Sequence, residues 1–224
     1  MIKPVIYCDF DGTITEKDNI IAIMNEFAPP EWEPIKNDIL SQKISIEEGV
    51  GKMFALLPST LKDEIVQFSL KHAVIREGFN ELLQLTKGEN IPFYVVSGGI
   101  DFFVHPILEQ VGFIGNIYCN SADFSKQNIQ IRWPNPCDQN CQNGCGCCKP
   151  SIIRKLKSEN EFTIVIGDSI TDLEAAKQAD FVFARDFLAE KCEQLKIKHK
   201  KFNTFYDCFD SIKELTRGEL ANVT

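Results

Sequence analysis

Apolar positions along this chain fall into short unbroken runs separated by longer stretches of helical spacing. Residues 5–8 (Val-Ile-Tyr-Cys), 92–96 (Pro-Phe-Tyr-Val-Val), 163–166 (Thr-Ile-Val-Ile) and 181–184 (Phe-Val-Phe-Ala) are β-branched or aromatic and show no alternation with polar residues. Runs of that kind predict strands of a parallel sheet covered by helices on both faces. Between the first two runs, Ile20, Ile21, Ile23, Met24 and Phe27 recur at helical spacing, and Ala28-Pro29-Pro30 ends that pattern. Ser45-Ile-Glu-Glu48 has the form of a capping box and opens a second helix through Val50, Met53, Phe54 and Leu57. Pro58 closes it, and a third helix starts at Thr60-Leu-Lys-Asp63 and ends near His72.

Roughly sixty residues of helix after the first strand are more than a simple crossover needs. They predict a helical cap over the carboxyl edge of the sheet, with residues 15–75 as cap and residues 1–14 and 76–224 as core. The competing reading is an ordinary multi-helix crossover. Residues 117–120 and 129–133 predict a hairpin, and residues 188–195 a helix. The last thirty residues carry little pattern.

The chain has 224 residues, 44% of them hydrophobic, which supports a core domain with a small accessory unit. The net charge of −8 includes no Lys/Arg block of the kind that binds nucleic acid, and no apolar stretch reaches membrane-spanning length. The apolar N-terminal run meets Asp9 too early for a signal peptide. These features predict a cytoplasmic protein without nucleic-acid or membrane partners; they say nothing of oligomeric state.

Candidate chemistry lies where predicted strands end. The first strand stops at Asp9-Phe-Asp11-Gly-Thr13, placing two carboxylates at a sheet edge where α/β folds bind ligands. Two close like charges call for a cation, and Mg²⁺ suits an all-oxygen site that also meets phosphate. The second strand runs into Ser97-Gly98-Gly99, where small residues let N–H groups approach an anion. The third runs into Gly167-Asp168-Ser-Ile-Thr-Asp172, and Lys149-Pro150 opens a further helix. Taken singly, each has a plain alternative: a tight turn, a helix cap or a surface lysine.

The order Asp-x-Asp-Gly-Thr, Ser, Lys, Gly-Asp-x-x-x-Asp resembles the haloacid-dehalogenase superfamily of aspartate-nucleophile phosphotransferases. The resemblance implies a Rossmann-like α/β core with an inserted helical cap of the C1 type. It implies Asp9 as nucleophile, Asp11 as general acid/base, and Ser97, Gly98 and Lys149 as phosphate binders. The Mg²⁺ ligands it implies are Asp9, the Asp11 main-chain carbonyl and Asp168, with Asp172 in support. A cap between the first two motifs resembles the phosphoserine phosphatase branch, in which Asp18 would contact substrate. An ungapped match puts Met53 where that branch carries a carboxylate-gripping arginine, and methionine cannot form that ion pair. Phe27-Ala-Pro-Pro-Glu-Trp32, Glu47-Glu-Gly-Val-Gly51 and Cys145-Gly-Cys-Cys-Lys-Pro150 extend the resemblance to the methionine-salvage phosphatases of that branch. These imply a small phosphorylated metabolite with a thioether tail as substrate, with Trp32 and Phe54 as cap contacts or core residues. The alternatives are another small phosphoester (phosphoserine, phosphoethanolamine or phosphocholine), a phosphomutase, or a non-catalytic module using its cysteine loop.

Five of nine cysteines, Cys137, Cys141, Cys145, Cys147 and Cys148, crowd into the segment leading to Lys149. A structural Zn²⁺ site, one or two disulfides, and packed free thiols all accommodate that spacing.

Overall fold

The computed structural model describes residues 3–216, so the outer ends of the predicted core, residues 1–2 and 217–224, lie outside the described residues. Among the described residues, seven strands form one sheet in the order β4-β3-β2-β1-β5-β6-β7. They are β1 (Lys3–Cys8), β2 (Phe93–Ile100), β3 (Asn116–Asp123), β4 (Gln130–Arg132), β5 (Glu161–Gly167), β6 (Phe181–Ala184) and β7 (His199–Lys201). All pairings are parallel except β3 with β4. The chain fills one side of β1 with β2 and β3, then crosses to β5 on the other side. That reversal makes the carboxyl end of β1 a natural ligand crevice.

Among the described residues, ten α-helices accompany the sheet: α1 (Asn19–Phe27), α2 (Trp32–Leu40), α3 (Ile46–Phe54), α4 (Lys62–His72), α5 (Phe79–Gly88), α6 (Asp101–Gln110), α7 (Lys149–Leu156), α8 (Leu173–Ala176), α9 (Asp186–Leu195) and α10 (Phe205–Thr216). Successive residues of β1 point to opposite faces: Ile6 and Cys8 join one core, Val5 and Tyr7 another with Val96, Ile152, Ile153 and Val165. Apolar cover on both faces explains why the central strands read as unbroken apolar runs.

Helices α1–α4 lie between Thr15 and Ile75, which face each other in an antiparallel bridge, so the chain leaves and re-enters the core at one place. Met24, Met53, Phe54 and Leu57 of this insertion share a hydrophobic core with Ile6, Val95 and Ile164 of the sheet. The hairpin β3–β4 extends the sheet and also meets the insertion through a Pro58–Asn128 bridge and the Asn128 side-chain amide on the Ala55 carbonyl. Ser45 caps α3 by accepting the Glu48 N–H at 3.1 Å, but the return half of the capping box is not made, because Glu48 turns to Lys52.

Three elements had no clear sequence pattern. Helix α2 carries Pro34 in its first turn. Strand β7 is a short polar edge strand held by backbone pairing with β6. Helix α10 buries Phe205, Cys208 and Ile212, and the Phe205 ring stands 5.2 Å from Phe79 of α5.

Candidate active site

Four loops converge at the carboxyl edge of β1, β2 and β5 and the start of α7. After β1 the backbone makes one irregular turn over Phe10–Ile14, closed by the Thr15 N–H on the Phe10 carbonyl at 2.9 Å. Gly12 permits it: its φ is +77°, and a Cβ there would strike the Asp168 carboxylate. The turn faces Asp9 inward, where its Oδ1 accepts the Phe10 N–H at 2.7 Å and the Lys149 ammonium at 2.8 Å. Asp9 and Lys149 are each 5% exposed, so the pair is shut off from bulk water.

Lys149 also holds Asp172 at 2.5 Å and donates to the Thr171 hydroxyl at 3.2 Å. The second Asp172 oxygen accepts the N–H groups of Asp168 and Ser169 at 3.2 and 3.0 Å. Asp172 therefore fixes both the lysine and the loop that carries Asp168. Asp168 in turn accepts the Thr13 hydroxyl at 2.8 Å. Carboxylate oxygens of Asp9, Asp168 and Asp172 lie within 4.8 Å of one another. One ammonium cannot balance three carboxylates, and an all-oxygen donor set with surplus negative charge fits Mg²⁺.

The charge crowding appears in the proton affinities. Burial, then the neighbouring carboxylates of Asp172 and Asp168, push Asp9 well above the usual carboxylate range, against the pull of Lys149. Burial and Asp172 raise Asp168 to about 6. Burial and the nearby Asp18 raise Asp11 to about 7, although two donors from Asn19 favour its charged form. Burial alone would lower Lys149, but Asp172 and Asp9 more than reverse this and keep it protonated.

Ser97, fully buried at the end of β2, accepts the Gly99 N–H on its hydroxyl oxygen at 2.9 Å, which leaves its own hydrogen available to an anion. Gly98 is positioned through its carbonyl, which accepts the Asn120 amide at 2.8 Å.

The sequence profile of the haloacid dehalogenase-like hydrolases matches residues 6–177, most of the chain and all four loops. This chain belongs to that family. Among curated proteins, a 2-hydroxy-3-keto-5-methylthiopentenyl-1-phosphate phosphatase of Geobacillus thermodenitrificans is 60% identical over 94% of this chain and 96% of its own length. The protein of the same name from Bacillus pumilus is 56% identical over 96% and 94%. Among solved structures, a phosphoserine phosphatase from T. onnurineus matches with a TM-score of 0.70 at 16% identity, covering 95% of each chain. A phospho-aspartyl intermediate analogue of phosphoserine phosphatase matches with a TM-score of 0.64 at 24% identity, over 85% of this chain and 91% of that one. Identities this low show the fold alone. As a haloacid dehalogenase-like hydrolase with curated phosphatase relatives, the chain is a phosphoric monoester hydrolase acting on a small phosphorylated substrate. Among the described residues, no helix is long and apolar enough to cross a membrane.

Other sequence candidates of this haloacid dehalogenase-like hydrolase lie at its margin. Asp18 caps α1, accepting the Ile21 N–H at 2.9 Å. Met53 and Trp32 are buried in the shared core, and Phe54 packs edge-on against Phe102 at the start of α6. Of the five clustered cysteines, Cys137, Cys141, Cys145 and Cys148 come together, while Cys147 does not. Its thiol turns to the Tyr118 carbonyl at 3.5 Å and packs with Val5 and Tyr7, so it is dropped from the candidate metal set.

Two residues with no role in the sequence pattern organise the loop after β1. Buried Arg76, just after the insertion, donates to the carbonyls of Gly12 and Thr13 at 2.8 Å each, and to Thr15 at 3.4 Å. Asn19, at the start of α1, directs its side-chain amide and backbone N–H at Asp11 Oδ1, at 2.7 and 2.9 Å. An arginine directly after the inserted helices was the only sequence signal for the first. Nothing local marked the second.

Proposed function

We propose that this hydrolase dephosphorylates 2-hydroxy-3-keto-5-methylthiopentenyl-1-phosphate, in methionine salvage and in the cytoplasm. The observation that carries the reaction is the buried Asp9–Lys149 pair beside Asp168. The substrate reading rests on relatives up to 60% identical along nearly their whole length.

Asp9 is the nucleophile. It attacks phosphorus while Asp11 gives its proton to the departing ester oxygen, leaving the phosphoryl group on Asp9. Asp11 then takes a proton from water, whose oxygen attacks phosphorus and releases phosphate and free Asp9. A carboxyl raised to about 7 suits a group that gives and takes a proton in turn. Asn19 aims Asp11, Lys149 neutralises phosphoryl oxygens, and Ser97 and the Gly98 backbone orient them. Asp9, Asp168 and the Asp11 carbonyl would hold Mg²⁺, with Asp172 in support. When bound, the ion supplies further neutralisation of phosphoryl charge.

Residues 15–75 act as the cap. Their paired ends at Thr15 and Ile75, and the Asn19–Asp11 contact, support a unit that excludes water from the reacting groups. Phe54 and Trp32 are structural within it.

Side-by-side kinetics on the salvage phosphate, phosphoserine and phosphoethanolamine test the reading. The salvage phosphate is expected to lead in kcat/KM by at least about 10²-fold. Equal or better turnover of either competitor overturns the substrate.

A further inference from the structure

We propose that Cys137, Cys141, Cys145 and Cys148 form a tetrahedral structural Zn²⁺ site that locks the loop leading into Lys149. The Sγ atoms of these four cysteines all lie within 4.8 Å of one another. Cys141 and Cys145 are 3.7 Å apart at sulfur. Four sulfurs about 2.3 Å from a central Zn²⁺ stand about 3.8 Å from each other, so the gathered thiols already have the dimensions of such a site.

The backbone is shaped to bring them together. Gly144 and Gly146, on either side of Cys145, take φ values of +59° and +74°. A Cβ on Gly144 would collide with Ser45, and one on Gly146 with Trp133. The loop therefore turns sharply twice around its third sulfur and could not do so with ordinary residues.

Donors surround the sulfurs as well. The Cys145 N–H points to Cys137 Sγ at 3.5 Å, and the Ser151 hydroxyl to Cys148 Sγ at 2.9 Å. The Arg154 guanidinium lies behind, donating to Ser151 Oγ at 3.2 Å. Hydrogen-bond donors around sulfur and a nearby cation are what thiolate ligands need. Zn²⁺ would displace one proton from each thiol and leave a site of net charge −2, which these hydrogen-bond donors offset in part; the Arg154 guanidinium is itself paired bidentately with Asp138 at 2.8 and 2.6 Å. All four are free thiols, and the sulfurs of Cys141 and Cys145 stand 3.7 Å apart, well beyond the roughly 2.05 Å of a disulfide bond. An all-sulfur tetrahedron selects Zn²⁺ or iron over Mg²⁺.

The position gives the site its purpose. Cys148 immediately precedes Lys149, whose ammonium reaches Asp9. On the other flank, the Gly144 carbonyl accepts the Glu47 N–H at 2.9 Å, at the first turn of α3. One ion would thus hold a loop that has little regular structure, fix the helix start carrying Lys149, and anchor the inserted helices to the core. None of this depends on which phosphoester is cleaved.

The test is metal analysis of the full-length protein, purified under reducing conditions with added Zn²⁺ and then dialysed against excess Mg²⁺. About one Zn²⁺ per chain should remain. Cys147→Ser and Asp168→Asn should keep it, separating the cysteine loop from the aspartate site, while Cys141→Ser and Cys145→Ser should lose it. Co²⁺ in place of Zn²⁺ should give thiolate-to-metal charge transfer and tetrahedral d–d absorption. Should the cysteine variants fail to fold, the wild-type stoichiometry and the Co²⁺ spectrum decide the matter alone. Wild-type protein that retains no Zn²⁺, holds iron instead, carries a disulfide among the four, or gives no tetrahedral Co²⁺ spectrum overturns the proposal.

Discussion

The Lys149 ammonium stands 2.8 Å from the Asp9 carboxylate, with both side chains almost wholly buried. The same ammonium holds Asp172, so one lysine links Asp9 to the residue that fixes the Asp168 loop. The region is crowded with acids, and the Lys149 ammonium sits among them.

Replacing Asp9 by Asn should lower phosphate release by on the order of 10⁴-fold or more, because the amide cannot attack phosphorus. The metal-free variant should melt no lower than the wild type, since one of three crowded carboxylates is gone. Steady-state kinetics with Mg²⁺ and thermal melts without it check both halves. Retained turnover removes Asp9 as nucleophile.

Lys149→Ala should destabilise the metal-free protein by about 3–5 kcal/mol, the usual cost of leaving buried charge uncompensated. Urea unfolding should show Mg²⁺ restoring much of that stability while turnover stays lost. A variant as stable as the wild type without metal contradicts the role given to this lysine.

Acidity should act in two opposite directions. Asp168 holds its proton up to about pH 6 in the metal-free protein. Mg²⁺ must displace that proton, so its apparent affinity should fall below pH 6 by up to about tenfold per unit. At saturating Mg²⁺, kcat should fall on the alkaline side, as Asp11, whose proton affinity burial and Asp18 raise, loses the proton needed by the leaving alcohol. Raised carboxyl affinities also mean that the stability they contribute is present below their unfolded values, near pH 4, and is lost as pH climbs through 6 and 7. Mg²⁺ should reverse that loss, so the melting shift it produces should grow from pH 5 to pH 8.

Arg76→Met removes the donors to the Gly12, Thr13 and Thr15 carbonyls. Unpaired buried carbonyls should cost about 2–3 kcal/mol, and a displaced nucleophile loop about 10²-fold in kcat. Arg76→Lys should rescue little, because a single ammonium cannot reproduce the guanidinium fork. Equal kcat in the wild type and Arg76→Met removes the positioning role.

The linear chain determined the four central strands, the main helices of the insertion and the order of the loops that bear chemistry. It could do so because each rests on local physics: an apolar run ended by Asp, Ser or Gly marks a strand that stops at a sheet edge. Asp9, Ser97 and Asp168 could be singled out for the same reason, each lying at such a junction, and Lys149 because Pro150 marks a helix start beside it. Tertiary structure decided what lies between those positions. Arg76 and Asn19 hold the loop after β1 only because the chain leaves and re-enters the core at Thr15 and Ile75. Spacing alone could not separate Cys147 from its four neighbours; the positive φ values of Gly144 and Gly146 and the pull of the Tyr118 carbonyl did. Strand β7 and helix α10 likewise exist because β6 and α5 offer them surfaces. Local pattern sets where an element begins and ends, but which side chains meet depends on sheet order and chain return, and those are properties of the whole fold.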